Sequence, residues 1–254
     1  MKLCVASFSF HGLLREGMID VFGYLESVKY RYHLDAADIW NGMIPDVTDE
    51  AYLRKIRAAL NERELVLANL CVDGAHVWEP DPDARERNYH NALANLKAAE
   101  ILGAKTVRID MGGHGLEMTE EQFEYTVKRY REYAQRAYDN GYKVGPENHW
   151  GCSRVPQNIL RLVEAVDHPA FGVLLHFENW DVDKEDGDRL VARHAFHTHM
   201  AAWVEPRYEE KIRTLQEAGY QGYYSVEHHS GRHEYTEVAW QLACVRRLLK
   251  QLGG

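Results

Sequence analysis

The chain reads as one (β/α)8 barrel domain, an α/β fold over residues 1–254, on three observations. Eight short β-rich runs recur along the 254 residues, one in every roughly 32, the length of a βα unit with short loops. Amphipathic stretches of helical period separate them. Several runs also follow the same junction of helix, glycine stop and strand, as in Leu102-Gly103-Ala104, Asn140-Gly141-Tyr142 and Ala218-Gly219-Tyr220. Repetition of one device supports one repeating architecture. Strands joined by helices imply parallel pairing with right-handed crossovers, and an open doubly wound sheet is the alternative arrangement of the same units.

The expected strands are residues 3–8, 37–40, 65–72, 106–111, 143–148, 172–177, 195–200 and 223–228. A helix over 51–60 sets Ala51, Ile56, Ala59 and Leu60 near one face, with Thr48 as its N-cap. A second over 92–102 stops at Gly103, a C′ glycine. Over 123–138, Phe123, Val127, Tyr130, Ala134 and Ala137 recur at three and four; 212–218 ends at Gly219, and 238–249 closes the pattern. The stretch 78–83, WEPDPD, reads as a loop, and no Pro/Ser-rich linker divides the chain.

With 45% hydrophobic residues, a chain of this length can bury a large core. Lys plus Arg number 30 against 39 Asp plus Glu, a net −9, which repels phosphate backbones and anionic membranes and points away from nucleic acid as a partner. The longest apolar stretches, such as Val173-Leu174-Leu175, are strand-sized, so no membrane span is expected. Ser7 and Ser9 fall where a signal peptide keeps an apolar block, so the first residues read as a strand. Cys4, Cys71, Cys152 and Cys244 are scattered without a CxxC pair, which suggests reduced thiols and a cytoplasmic location. Fourteen histidines is the unusual count, and their positions carry the functional signal.

In a barrel the reactive face lies at the carboxyl ends of the strands. Those ends are polar here: Asp73-Gly74-Ala75-His76, Val107-Arg108-Ile109-Asp110, Val144-Gly145-Pro146-Glu147-Asn148-His149, Leu175-His176, His197-Thr198-His199 and Val226-Glu227-His228-His229. By alternation Glu147 shares a face with Gly145, Glu227 with Ser225, and His197 with His199. A lone strand histidine is usually a hydrogen-bonded core residue, and a lone Glu a salt-bridge partner. Four concurring ends are another matter, because an interior crowded with Glu and His is costly unless a charge compensates it. A divalent cation does so, taking carboxylate oxygen and neutral imidazole nitrogen. Glu147, His176, His197 and Glu227, one from each of the last four strands, form the expected mononuclear site, with His199 as reserve ligand.

These residues resemble the xylose isomerase-like barrel superfamily, in its branch of sugar-phosphate isomerases and epimerases, over essentially the whole chain. The most specific pieces are Glu147-Asn148-His149-Trp150-Gly151, Phe171-Gly172-Val173 leading to His176 and Asn179, His197-Thr198-His199 in the place of His-x-Lys, and Val226-Glu227. The resemblance puts Glu147, His197 and Glu227 on three of four family metal ligands. At the fourth, an Asp in the family, this chain has His176. Losing one negative charge favours zinc, manganese, cobalt or iron over magnesium.

The resemblance implies an isomerase or epimerase of a sugar, a sugar derivative or a small hydroxy-keto compound, working through an enediolate. Glu147 and Glu227 would serve as base and acid while remaining ligands. His149, Asn179, His199, His76 and Trp40 are the candidate substrate contacts, and Trp150 and Trp203 could add apolar walls. The same site could instead run a β-elimination, as a lyase or dehydratase on an inosose or keto-glycoside, with His149 or His199 protonating the leaving group. Apurinic-site endonucleases resemble the same superfamily. They need additional His ligands and a basic groove, and beyond His76 this acidic chain offers little of either. A barrel without metal, serving only as a scaffold, is the non-enzymatic alternative. Relatives are often dimers or tetramers, so a homo-oligomer follows from the resemblance alone. Arg108 and Asp110 read as a structural ion pair. The MGGHG stretch at 111–115 lacks the GxGxxG spacing of a phosphate cradle, and Ser153 and Ser225 lack a nucleophile elbow.

Overall fold

The computed structural model describes residues 1–253. Its strands are β1 (Leu3–Val5), β2 (Ala36–Trp40), β3 (Val66–Val72), β4 (Thr106–Ile109), β5 (Lys143–Gly145), β6 (Val173–His176), β7 (Ala195–Ala201) and β8 (Tyr224–Glu227). The helices are α1 (His11–Arg15), α2 (Val21–Glu26), α3 (Glu50–Glu62), α4 (Pro82–Leu102), α5 (Glu120–Asn140), α6 (Pro156–Val166), α7 (Gly187–Val191), α8 (Tyr208–Glu217) and α9 (Glu234–Gln251). All strand pairs are parallel, in two arcs ordered β1-β8-β7-β6 and β2-β3-β4-β5. The alternation expected from the sequence is therefore present, and the fold is that of a TIM barrel.

Two seams join the arcs through single bridges. Between β5 and β6 these are Val144 with Phe171 and Glu147 with Leu174, and the Leu174 N–H donates to the Pro146 carbonyl at 2.9 Å. The expected strand over 143–148 is thereby cut at Gly145, because Pro146 has no N–H to donate to a ladder. Between β1 and β2, Ala6 bridges Asp38, and the Tyr24 hydroxyl holds the seam. That hydroxyl donates to the Val5 carbonyl at 2.6 Å, lies 3.1 Å from the Asp38 carbonyl, and accepts from the Asp38 N–H at 2.9 Å. β1 also ends earlier than the expected 3–8, in a 3-10 turn over Ser7–Phe10. The serines there accept from neighbouring strand ends: Ser7 Oγ from Trp40 N at 2.8 Å and Ser9 Oγ from His228 N at 3.0 Å.

Helix starts differ from expectation for local reasons. Asp49, not Thr48, caps α3 by accepting from the Tyr52 N–H at 3.0 Å, while the Thr48 hydroxyl donates to Asp46. α4 begins inside the supposed 78–83 loop, where Asp81 accepts from the Asp83 N–H and Pro82 brings a preset helical φ to the first position. α6 likewise starts on a proline, Pro156. Gly103 and Gly141 end α4 and α5 with φ of 73° and 77°, as the glycine stops predicted.

Strand residues such as Ile39, Leu70, Val107, Val144, Leu175 and Val226 join helix residues such as Ile56, Leu60, Leu96 and Val245 in one apolar cluster. The alternate positions, among them Asp38, Asn69, Cys71, His197, His199 and Ser225, are buried and bond one another across the barrel interior, and buried Arg108 joins Asp110 and Glu147. A polar barrel centre wrapped in an apolar shell is what places the site. All four cysteines are free and buried. Among the described residues no helix is long and apolar enough to cross a membrane. Replacing Tyr24 by Phe should lower unfolding stability by about 1–3 kcal/mol, since it strands buried backbone groups at the seam. A urea midpoint that falls with an unchanged m-value is the expected result; an unmoved midpoint would show the hydroxyl to be dispensable.

Candidate metal centre

A cavity of about 110 Å³ opens at the carboxyl ends of the strands. It takes lining residues from β2 (Asp38, Trp40), β3 (Cys71), β4 (Arg108), β6 (His176), β7 (His199) and β8 (Glu227), and Glu147 and His149 from the turn after β5. One donor atom each of Glu147, His176, His199 and Glu227 lies within 4.8 Å of the others, and all four residues are buried. The Nδ1 of His176 is 2.9 Å from Glu147 Oε1 and 3.8 Å from Glu227 Oε2; the Nδ1 of His199 is 3.4 Å and 3.2 Å from the same two oxygens. Bond lengths of about 2.0–2.2 Å to a divalent cation set adjacent donor separations at about 3–3.5 Å, a range that three of these contacts approach and the 3.8 Å contact from His176 to Glu227 exceeds.

Which nitrogen of His199 faces that centre is decided beneath it. Asp38 Oδ2 accepts from Nε2 of His199 at 3.1 Å, from Nε2 of His197 at 2.8 Å and from the Ser225 hydroxyl at 2.8 Å; its Oδ1 accepts from Asn69 Nδ2 at 3.0 Å. Burial opposes charge on Asp38, but the His197 and His199 rings outweigh it and hold the carboxyl well below the usual range. With Nε2–H given to Asp38, a neutral His199 turns a lone pair toward two carboxylates. The Nδ1 of His199 and the Oε2 of Glu227 are buried and make no aligned hydrogen bond. Acceptors gathered in this way need a proton or a cation between them. Without a metal the proton is the answer: burial works against it, but Glu227, Cys71 and Glu147 raise the His199 pKa well above that of free imidazole. The donor set therefore fits a divalent cation, and His199 has the carboxylate-backed orientation of a ligating histidine.

His197, expected as the ligand of this strand, lies outside the group of four. Its Nε2 is on Asp38, and in the β6–β7 ladder it pairs with Leu174, whereas His199 pairs with His176. Both histidines face inward, as alternation predicts, but only His199 stands at the height of the other donors.

The remaining expected contacts divide. Trp40 lines the cavity and its indole N–H donates to Asp73 at 2.7 Å. His149 also lines it, with Nδ1 2.9 Å from Asp110 Oδ2; burial lowers its pKa, yet Glu147 and Asp110 prevail and raise it to about 9. Asn179 and His76 do not line the cavity. The Asn179 amide donates to the carbonyls of Asn148 (2.7 Å) and His149 (2.9 Å), bracing the turn after β5, and His76 lies against Trp150 with Nδ1 3.3 Å from Glu79. Trp203 stacks on the His176 ring, centroids 5.6 Å apart. Arg108 pairs with Asp110 at 3.0 Å as expected, and it also reaches Asp73 at 2.9 Å and, through Nε, Glu147 Oε2 at 3.0 Å. It thus holds one oxygen of Glu147 while the other faces the histidines. Asp38, Cys71, Phe8 and His229 were not singled out by sequence. For Asp38 the one available signal was a lone carboxylate within the apolar run Ala36-Ala37-Asp38-Ile39.

Fold and site together define a barrel whose carboxyl-terminal mouth holds buried groups of carboxylates and imidazoles close enough to share a cation, Glu147, His176, His199 and Glu227 being the four-membered one. The chain belongs to the xylose isomerase-like TIM barrel family, whose pattern matches residues 31–248. Solved structures with the same fold include D-psicose 3-epimerase of Clostridium cellulolyticum H10, determined with D-tagatose (TM-score 0.80, 17% identity, 98% of this chain and 99% of that one). The 3-keto-D-glucoside 4-epimerase YcjR of E. coli superposes with a TM-score of 0.78 at 14% identity, over 97% and 99% of the two chains. The probable 3-DHS dehydratase AsbF of Bacillus anthracis does so at 0.75 and 14%, over 97% and 99%. No curated protein matches the chain by sequence.

Elemental analysis of gently purified protein should find one divalent metal per chain, lost in His199→Ala and retained in His197→Gln; the reverse pattern would move the site one layer down. Asp38→Asn should weaken metal binding about 10- to 100-fold in a chelator competition, as loss of a supporting carboxylate does. An unchanged affinity would show that the carboxylate does not orient His199.

Proposed function

We propose that this protein is a divalent-metal-dependent isomerase or epimerase acting on a sugar, a sugar derivative or a small hydroxy-keto compound. The observation that carries the proposal is the convergence of Glu147, from the turn after β5, and Glu227, from β8, on one buried donor set at the cavity. Glu147, His176, His199 and Glu227 would hold the cation, and two imidazoles in the set favour zinc, manganese, cobalt or iron over magnesium. A cation held there would supply Lewis-acid polarisation of neighbouring hydroxyl and carbonyl oxygens, and so would acidify the hydrogen on the carbon between them.

The chain's own groups supply the rest. Burial raises the pKa of both glutamates, but for Glu147 the neighbours His149, His199 and Arg108, and for Glu227 His199 and His229, lower it well below the usual range. Each is thereby kept ionised and could accept a proton from the substrate carbon, leaving an enediolate. The glutamic acid so formed could return that proton to the adjacent carbon to give an isomer, whereas an epimer needs the other glutamate to take a proton from water and deliver it to the opposite face. Arg108 on Glu147 Oε2 and His229, 3.2 Å from Glu227 Oε2, fix the two carboxylates in place. Phe8 and Trp40, edge to face at 5.2 Å, form an apolar wall suited to the C–H face of a sugar.

A lyase reading has one observation of its own. His149 lines the cavity with Nδ1 committed to Asp110, which leaves Nε2 free to protonate a leaving group after the same deprotonation. The fold likeness to both epimerases and a probable dehydratase is compatible with either outcome.

Glu147→Gln and Glu227→Gln, each loaded with metal, should lower the rate of solvent-deuterium incorporation at the substrate carbon by about 10²–10⁴-fold, the range of general acid–base catalysis. Proton NMR against ketoses, inososes and 3-keto-glycosides reads this directly. Exchange at the unmodified rate in either variant would remove that glutamate from the chemistry.

A further inference from the structure

A second cavity, of about 730 Å³, opens at the opposite, amino-terminal mouth of the barrel. Lys2, Lys105, Lys143 and Arg193 line it, from the starts of β1, β4, β5 and β7, and no Asp or Glu does. In a chain where acidic residues outnumber basic ones by 39 to 30, four cations without a carboxylate are against the average. Some exposed cations elsewhere, such as Lys97, Arg161 and Arg189, are paired with carboxylates. Among the described residues these four are not: Lys2 donates to the Gln221 carbonyl and Arg193 to the His194 ring. Lys143 opens β5 opposite Thr106, and its N–H donates to the carbonyl of Lys105, the residue before β4, at 3.1 Å, so both strands enter at this mouth.

A separate feature points into the same cavity. His197 belongs to its lining, is 1% exposed, and has no hydrogen-bond partner for Nδ1. With Nε2 on Asp38, Nδ1 is the ring's unpartnered polar atom, suited to bond a hydroxyl on a ligand. Tyr142 and Tyr220 add further lining with apolar ring faces.

We propose that this mouth binds a small soluble phosphate ester, its phosphate held by Lys2, Lys105, Lys143 and Arg193 and a hydroxyl of the ligand directed to His197. The site is separate from the metal centre and does not depend on the reaction proposed there. The test is calorimetric titration of metal-loaded protein with inorganic phosphate at about 0.1 M chloride, where exposed charges are already screened. One saturable site is expected, weakened at least about tenfold in Lys105→Gln/Lys143→Gln, whose melting temperature and metal content stay unchanged. Absence of saturable binding overturns the proposal. So does equal affinity in the double variant, which would place the phosphate elsewhere, including on the metal. Co-sedimentation with phosphatidylglycerol vesicles, abolished in the same variant, would also overturn it, in favour of a membrane surface.

Discussion

The carboxylate of Asp38 decides the tautomer of His199, and the reactive mouth of the barrel depends on that decision. A histidine has two nitrogens and gives away only one N–H when neutral. By accepting from Nε2 below the cavity, Asp38 turns Nδ1 toward Glu147 and Glu227 above it, where a proton or a cation must lie. Burying such a set of acceptors is tolerable only when something positive lies among them. The site is thus defined from below as much as from its own four residues.

The barrel supplies the surroundings that make this arrangement stable. Each donor comes from a different strand end or the turn beyond it, so no local segment has to carry more than one or two charges. Parallel register brings His176 and His199 level. Pro146 ends the β5 ladder and lets Glu147 bridge to Leu174 with its carboxylate turned inward. Arg108, buried and shared among Asp73, Asp110 and Glu147, balances the negative charge on the β4–β5 side. His229 and Trp203 close the β7–β8 side, packed against each other and near His176. The same interior continues down to His197, so the polar column runs from one mouth of the barrel to the other.

Much of this was legible in the sequence. Hydrophobic alternation and glycine stops place all eight strands, because those signals are local and periodic. Glu147, His176 and Glu227 could be singled out because a charge at a strand end is conspicuous. Sequence alone could not separate His197 from His199, since both share one parity and only the register against β6 distinguishes their heights. For Asp38 the apolar run around it marks a buried carboxylate but not its role, because the partners of that carboxylate lie 31 to 187 residues away along the chain. Pro82 shows a different limit. Proline and aspartate in WEPDPD read equally well as a loop or as a capped helix start, and the fold alone resolves which.

The most direct measurement of the central claim is anomalous diffraction from crystals grown with manganese or zinc. The account predicts one strong peak about 2.0–2.3 Å from Glu147, His176, His199 and Glu227, with His199 ligating through Nδ1 and its Nε2 still on Asp38. A peak bound by His197, or His199 turned so that Nε2 meets the metal, would contradict it.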